Sequence, residues 1–437
     1  MYKQRMNHCV IENSIETKYI TALLGPRRVG KSYFLDNYAK HHPERKWVFL
    51  NMDQMEQRKR VSDMQLASMI SESAKQQING KEKIWVVVDE VQKCPDIFDQ
   101  IKIMYDENKD KNNIKFILTG SAVLSLHQFS AESLAGRIEL HHLQAFNLRE
   151  ATLTKENSVP MDSILDLLTK EENSNLISEH IAHLKPFKPE LEKELSQLLI
   201  WGGFPELLAI TTTQEKISYL NNYLQTYLEK DVRAIETITD LNLYRNMLDV
   251  LAEQTGSVRD DQRIIEALGC TRDTLKKYRG YVEATLLFME VYPFINSALK
   301  RLVKSPKGYL LNNGLVSLLT GLWDLDVLQK SGLIGHRLEN WFLNELNTWI
   351  SRSPLRQHIN YWRTSSGTEV DFVVTRKPHI LPFEITYGRT IDNKKIRNLK
   401  TFMQIEPKAP WGYYIYRGDF AIDEKKKIMF IPCWAVG

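Results

Sequence analysis

The chain has 437 residues, 43% hydrophobic and 26% charged, which is globular composition at a length that calls for roughly two to four domains. A net charge of +4 is too slight to indicate nucleic acid or anionic lipid by itself, and no apolar run is long enough for a bilayer, so no membrane partner is expected. Cys9, Cys94, Cys270 and Cys433 stand far apart without paired spacing, which argues against a disulfide framework or zinc site, and the opening MYKQRMNHCVIENS lacks the apolar core of a secretory signal; a cytoplasmic protein is expected.

Taken in chain order, the first strong signal is YITALLGPRRVGKSYFLDNYA. The run Tyr19 to Leu24 predicts a buried strand, SYFLDNYA continues at helical spacing, and between them Gly25, Pro26, Arg27, Arg28, Val29, Gly30, Lys31 and Ser32 match G-x-x-x-x-G-K-[ST]. The glycines let backbone N–H groups turn toward a phosphate at a helix N-terminus, Lys31 supplies positive charge, and the Ser32 hydroxyl suits magnesium. In KIWVVVDEVQKCP a β-branched strand closes on Asp89 and Glu90, a Walker B arrangement: Asp89 to hold the magnesium, Glu90 to orient and polarise the attacking water.

A third strand, IKFILTGSAVLSL, ends on Thr119, Gly120 and Ser121, polar groups placed to sense a γ-phosphate. SAESLAGRIEL carries Arg137, either an arginine finger, in its own subunit or a neighbour's, or ordinary loop chemistry.

The motifs GPRRVGKS, VVVDEVQ, LTGSA and LAGR, with GGFPE at 202–206 and YLEKDV at 227–232, resemble a prokaryotic family of AAA+ ATPases with a carboxyl-terminal domain of unknown function. The resemblance spans nearly the whole chain and implies a doubly wound ATPase core, a helical lid, a winged helix and a terminal domain similar to the PD-(D/E)XK nuclease fold.

The residues agree independently. MDSILDLL, ISEHIAHL and ELEKELSQLLI have helical spacing, as a lid needs; WGGFPE interrupts them with a tight turn whose chemistry is not legible, and NYLQTYLEKDVRAI resumes a helix whose Asp231 and Arg233 are surface charges or lid contacts. LYRNMLDVLAEQTG, DDQRIIEALG and TRDTLKKYRGYVEAT, followed by LLFMEVYPFI, predict a winged helix-turn-helix. Its third helix carries Arg272, Lys276, Lys277 and Arg279, either DNA contacts or a solvated face. Lys300, Arg301, Lys304 and Lys307 add to that charge, while Asn312 and Asn313 stand where the family tends to show an aspartate.

In GLIGHRLENWFLNELNTWI a helix bears Glu339; EVDFVV presents Asp371 and ILPFEIT presents Glu384. In PD-(D/E)XK nucleases such acids bind magnesium and a lysine two residues past the glutamate helps activate water, but that position is Thr386, leaving Lys394 or Lys395 on the next helix as replacements.

The expected fold is therefore α/β: a P-loop AAA+ core at 1–154, a helical lid at 155–238, a winged helix-turn-helix at 239–312, and a restriction-endonuclease-like α/β domain at 313–437. The expected cofactors are ATP and Mg2+, and the expected partners DNA, further copies of the chain or another protein. The function expected first is a nucleotide-driven regulator or remodeller acting on DNA, in defence against or maintenance of mobile elements. An ATP-switched nuclease and a signalling ATPase assembling on a protein partner are the alternatives.

Overall fold

The structure is a computed structural model describing residues 4–76, 82–108, 111–121, 134–153, 159–160, 162–170, 173–233, 235, 238–295, 305–353, 357–376 and 378–437. The chain forms two compact units, Met1–Gln144 with Ala284–Leu286, and Ala145–Glu283 with Leu287–Gly437. The segments expected as lid, winged helix and terminal domain fall largely in the second.

The first unit is built on strands β1 (Ile20–Leu24), β2 (Lys46–Asn51), β3 (Ile84–Asp89), β4 (Ile114–Gly120) and β5 (Ile138–His142), in the order β2-β3-β4-β1-β5, all parallel. A parallel sheet is covered on both faces, which is why β1 and β4 are buried along their whole length and read as continuous apolar runs. Alternate residues, among them Ala22, Val48, Val86 and Phe116, pack with Val61, Ile70, Phe98 and Ile101 from three helices. The helix His8–Glu16 is tied to β1 by Ser14 Oγ, 2.9 Å from Thr21 Oγ1, and buried Lys115 of β4 donates to the carbonyls of Ser14 and Thr17 at that helix's end. Because β1 lies beside β4 and β4 beside β3, the carboxyl ends of those three strands open at one edge, where such sheets bind ligands.

The second unit begins with the helix Leu148–Thr152, closed by a capping box between Asn147 and Glu150. The expected lid helices appear as Ile164–Leu167, Asn173–Leu184, Lys188–Trp201 and Thr213–Thr226, the last running into a π-helical turn at Tyr227–Val232. Arg233 there pairs with Glu229 at 2.8 Å. Helices Leu241–Glu253, Asp261–Leu268 and Arg272–Ala284 lead into an antiparallel hairpin of β6 (Phe288–Pro293) and β7 (Lys307–Leu310), and Val258, between the first two helices, bridges Lys307 in antiparallel fashion.

After the helix Ile334–Ser351, strands β8 (His358–Arg363), β9 (Glu369–Arg376) and β10 (His379–Ile385) form an antiparallel meander. The helix Asn393–Ile405 then crosses to β11 (Gly412–Tyr416), parallel to β10. With β12 (Ala421–Asp423) and β13 (Ile428–Pro432) they form an eight-stranded sheet, order β12-β13-β11-β10-β9-β8-β6-β7.

The structure explains WGGFPE. Gly202 has φ +68°, and a Cβ there would lie 2.3 Å from Asn312 Oδ1, while a Cβ on Gly203 would lie 2.2 Å from the Phe146 carbonyl oxygen. The two glycines let this turn abut two distant segments. Asn312 caps the helix Asn313–Thr320 through Gly314 N and Leu315 N, and Asn313 Nδ2 donates to the Arg337 carbonyl at 3.0 Å. Both amides are therefore structural.

Candidate functional site

The loop Gly25–Ser32 joins β1 to the helix Lys31–His41. Gly25 must be glycine, since a Cβ would come 2.1 Å from the Leu143 carbonyl oxygen, and Gly30 at φ +93° turns the chain into a helix whose N-terminus has no side-chain cap. Uncapped N–H groups at a helix start are an anion site. Val29 is buried, and its carbonyl accepts from Arg5 Nη1 at 3.1 Å, while Arg28 adopts φ +61° on the same loop as Pro26 and Arg27. The Lys31 ammonium donates to the carbonyls of Gly25 (2.8 Å) and Pro26 (2.9 Å), so its charge already lies within the loop.

Ser32 Oγ donates to Asp89 Oδ2 at 3.0 Å, and Thr119 Oγ1 donates to Asp89 Oδ1. Two hydroxyls, one from the first turn of the helix after the loop and one from the end of β4, thus meet the carboxylate at the end of β3. A hydroxyl and a carboxylate held together are the hard oxygen donors that suit Mg2+, so this donor set fits the ion. Glu90 adopts φ +53°, a left-handed conformation costing about 1 kcal/mol or more for a residue with a Cβ. Its N–H meets Thr119 Oγ1 at 3.3 Å, and its carboxylate accepts from Ser121 Oγ at 3.1 Å and from Gln92 Nε2. Gln92 Nε2 also lies 3.0 Å from Ser121 Oγ. The role of Gln92 was missed in the sequence, though it stands two residues past Glu90 in DEVQ.

The structure does not bring Arg137 to this cluster. Its guanidinium pairs with both oxygens of Asp106, at 2.8 and 2.9 Å, and its carbonyl accepts from Ile20 N at the start of β1, one strand length, about 16 Å, from the loop. A finger acting within its own subunit is thereby corrected.

On the helix Arg272–Ala284, Arg272, Lys276 and Lys277 are exposed. Arg279 is not: it is buried and paired with Asp261 Oδ1 and Glu290 Oε1, both at 2.9 Å, beside Arg259 on the same acids. It falls in the buried stripe Leu275, Tyr278, Arg279, Val282, whose spacing of three, one and three marks a core face, so its assignment to DNA is corrected. Lys300, Arg301 and Lys304 lie outside the described residues, and Lys307 is buried.

In the second unit the register Phe372↔Phe383 sets Asp371 and Glu384 side by side on β9 and β10. Lys395, not exposed Lys394, reaches them: its Nζ lies 2.6 Å from Asp371 Oδ2, 2.9 Å from Glu384 Oε2 and 2.8 Å from the Ile385 carbonyl. Asp371 also accepts from Ile385 N at 2.8 Å, and Glu384 from Asn398 Nδ2 at 3.1 Å. Burial works against the Asp371 anion, but the ammonium groups of Lys395 and Lys307 outweigh it and hold its carboxyl below the usual range. Burial and the neighbouring Asp371 push Glu384 the other way, well above it.

Glu339 is not part of that pair. Its Oε2 accepts from Tyr309 OH at 3.2 Å and faces Lys307 Nζ at 3.7 Å, and Lys307 pairs more tightly with Glu369. Burial lifts the Glu339 carboxyl to about 7 despite Lys307. Among the described residues no three His, Cys, Asp or Glu side chains lie close enough to hold a metal. Asp371, Glu384 and the Ile385 carbonyl converge on the Lys395 ammonium, while Glu339 is turned to Lys307 and does not complete the expected three-acid set. Asn398, Lys307, Tyr309 and Glu369 were not legible as members of the site.

Residues 17–152 match a family model described as an AAA domain. Residues 192–346 and 334–436 match two described as domains of unknown function, DUF8612 and DUF4143. The uncharacterised protein Rv2008c of Mycobacterium tuberculosis is 22% identical over 94% of this chain and 80% of its own length. The uncharacterised protein MJ1544 of Methanocaldococcus jannaschii is 23% identical over 90% and 81%. Solved structures overlap the chain loosely: the ADP form of the ORC2 protein of Aeropyrum pernix, at 13% identity and TM-score 0.33, covers 74% of this chain and 92% of its own. The RuvB branch migration motor of Thermotoga maritima, at 14% and TM-score 0.30, covers 69% and 95%. Residues 17–152 are thus similar to an AAA domain, and the amino-terminal unit has an α/β fold with a parallel sheet. Among the described residues no helix is long and apolar enough to cross a membrane.

Proposed function

We propose that the chain hydrolyses ATP and uses the cycle to regulate or remodel a DNA substrate. The observation that carries the ATPase reading is the meeting of Ser32, Asp89 and Thr119 beside the loop that holds Lys31. Lys31 can exchange the carbonyls of Gly25 and Pro26 for the terminal phosphates of the nucleotide, and the loop amides and helix start take the remaining phosphate charge. Ser32 and Asp89 would hold Mg2+, which neutralises phosphate oxygens when bound. Glu90 orients the attacking water once it leaves Gln92 and Ser121, and Thr119 fixes the Asp89 carboxylate. Equilibrium binding of a fluorescent ATP analogue tests this: affinity should rise with Mg2+ in the natural protein and lose that dependence in Asp89→Asn, whereas Mg2+-independent binding in both argues against the site.

The helical segment 155–238 is read as a lid and 239–312 as a winged helix. Three helices, the Val258 bridge and the β6/β7 hairpin support the latter. Exposed Arg272, Lys276 and Lys277 are then the DNA contacts, sequence-independent and salt-sensitive. A neighbouring copy of the chain remains the place where Arg137 could act on a nucleotide.

For 313–437 we infer a restriction-endonuclease-like α/β domain that binds nucleic acid or protein. The order helix, meander, helix, parallel strand supports the fold, and the turning of Glu339 to Lys307 and Tyr309, away from Asp371 and Glu384, favours binding over cleavage. Labelled linear and circular DNA should stay intact with Mg2+ or Mn2+, with or without ATP. Cleavage abolished by Asp371→Ala would establish the nuclease alternative instead.

A further inference from the structure

The second unit contains a half-open pocket of about 290 Å³, lined by Ala252, Val316, Leu322 and Leu333 on its apolar walls and by Thr320 and Arg337 at its polar end. That volume lies at the lower end of small-molecule sites, roughly 300–1,000 Å³. Its walls come from the helices Leu241–Glu253 and Asn313–Thr320, the residues just after the latter, and the start of Ile334–Ser351.

Arg337 sets the chemistry. It is 3% exposed, yet among the described residues no carboxylate lies within ion-pair distance of it. Nη1 donates to the Asn313 carbonyl at 2.8 Å and Nη2 to Thr320 Oγ1 at 3.0 Å, which uses two of the five N–H donors a guanidinium carries. Burial alone pulls its pKa down to about 10, so the group is charged at neutral pH without a counter-ion. An uncompensated buried charge is costly. His336 on the same wall has Nδ1 buried with no partner, and burial keeps its ring neutral, so it adds a hydrogen-bonding edge without competing charge. Exposed Glu253 also lines the cavity and disfavours a second negative charge on whatever enters.

We propose that this cavity binds a small aliphatic monocarboxylate, its carboxylate on the remaining donors of Arg337 and its tail against Ala252, Val316, Leu322 and Leu333. Planar bidentate donors match a carboxylate, and the apolar walls match a short branched chain. The assignment is independent of nucleotide turnover, so the failure of either reading leaves the other standing.

Calorimetric titration of the full chain with 4-methylpentanoate, and separately with inorganic phosphate, tests it. The carboxylate should bind saturably with one site per chain, and phosphate should not. Arg337→Lys should weaken binding roughly tenfold or more, the scale of a lost charge-assisted bidentate pair. Leu322→Trp, which fills the cavity from its rim and leaves the Arg337 hydrogen bonds alone, should abolish binding while circular dichroism stays unchanged. Absence of saturable binding in the natural protein, equal binding of phosphate, or affinity unaltered in Leu322→Trp would each overturn the proposal.

Discussion

Lys395 Nζ lies 2.6 Å from Asp371 Oδ2, so the ammonium that sequence spacing would place two residues past Glu384 arrives from a different helix. The pair is mostly buried, and removing one partner leaves the other charge uncompensated. Lys395→Met should therefore destabilise the protein by about 3 kcal/mol in urea unfolding at neutral pH.

The same pair has an acid limb. Asp371 titrates below its ordinary value in the folded chain, so its contribution is complete above about pH 4 and is lost as pH falls through the folded pKa. Lys395→Met removes the main attraction that depresses it, and acid unfolding should begin at higher pH than in the natural protein. A midpoint that stays in place would show that Lys307 alone holds Asp371.

Glu90 is restrained by Ser121 and Gln92. Glu90→Gln should keep nucleotide binding while turnover falls by about 10²–10⁴, the usual worth of a positioned base. Gln92→Ala, by loosening that restraint, should raise basal phosphate release severalfold. A fall in turnover would instead make Gln92 a positioning residue for the water.

Basic residues on one helix should separate by phenotype. Replacing Lys276 and Lys277 together with alanine should leave the unfolding midpoint unchanged and reduce the salt slope of DNA binding by about 2. Arg279→Ala should lower stability by about 2 kcal/mol, because Asp261 and Glu290 lose one of their two arginine partners and keep Arg259. DNA binding untouched by the double substitution would remove this helix from the interface.

Gly203→Ala should cost about 2 kcal/mol or more, since its Cβ would lie 2.2 Å from a backbone oxygen that cannot rotate away. Thermal unfolding of that variant reads the effect directly.

What the sequence revealed follows the range of the interactions involved. The phosphate loop was legible because its glycines, lysine and serine act within eight residues, between a strand and a helix that announce themselves. Asp89 and Glu90 were legible because a β-branched run has to end somewhere, and two acids there have few structural uses. WGGFPE was opaque because the atoms that require its glycines belong to Phe146 and Asn312, far away in the chain. Lys394 and Lys395 could not be told apart, since one residue turns the side chain by about 100° on a helix and only the packing of Asn393–Ile405 decides which faces the sheet. Arg279 was misassigned by its charge, although the stripe it shares with Leu275, Tyr278 and Val282 already placed it in the core.

The most direct test of the central claim is phosphate release from ATP by the purified chain, with Mg2+ and with chelator, for the natural protein and for Lys31→Ala. Steady, Mg2+-dependent release is expected, reduced to background in Lys31→Ala while the variant keeps its fold. Release that persists at the natural rate in Lys31→Ala, or that ignores chelation, would contradict it.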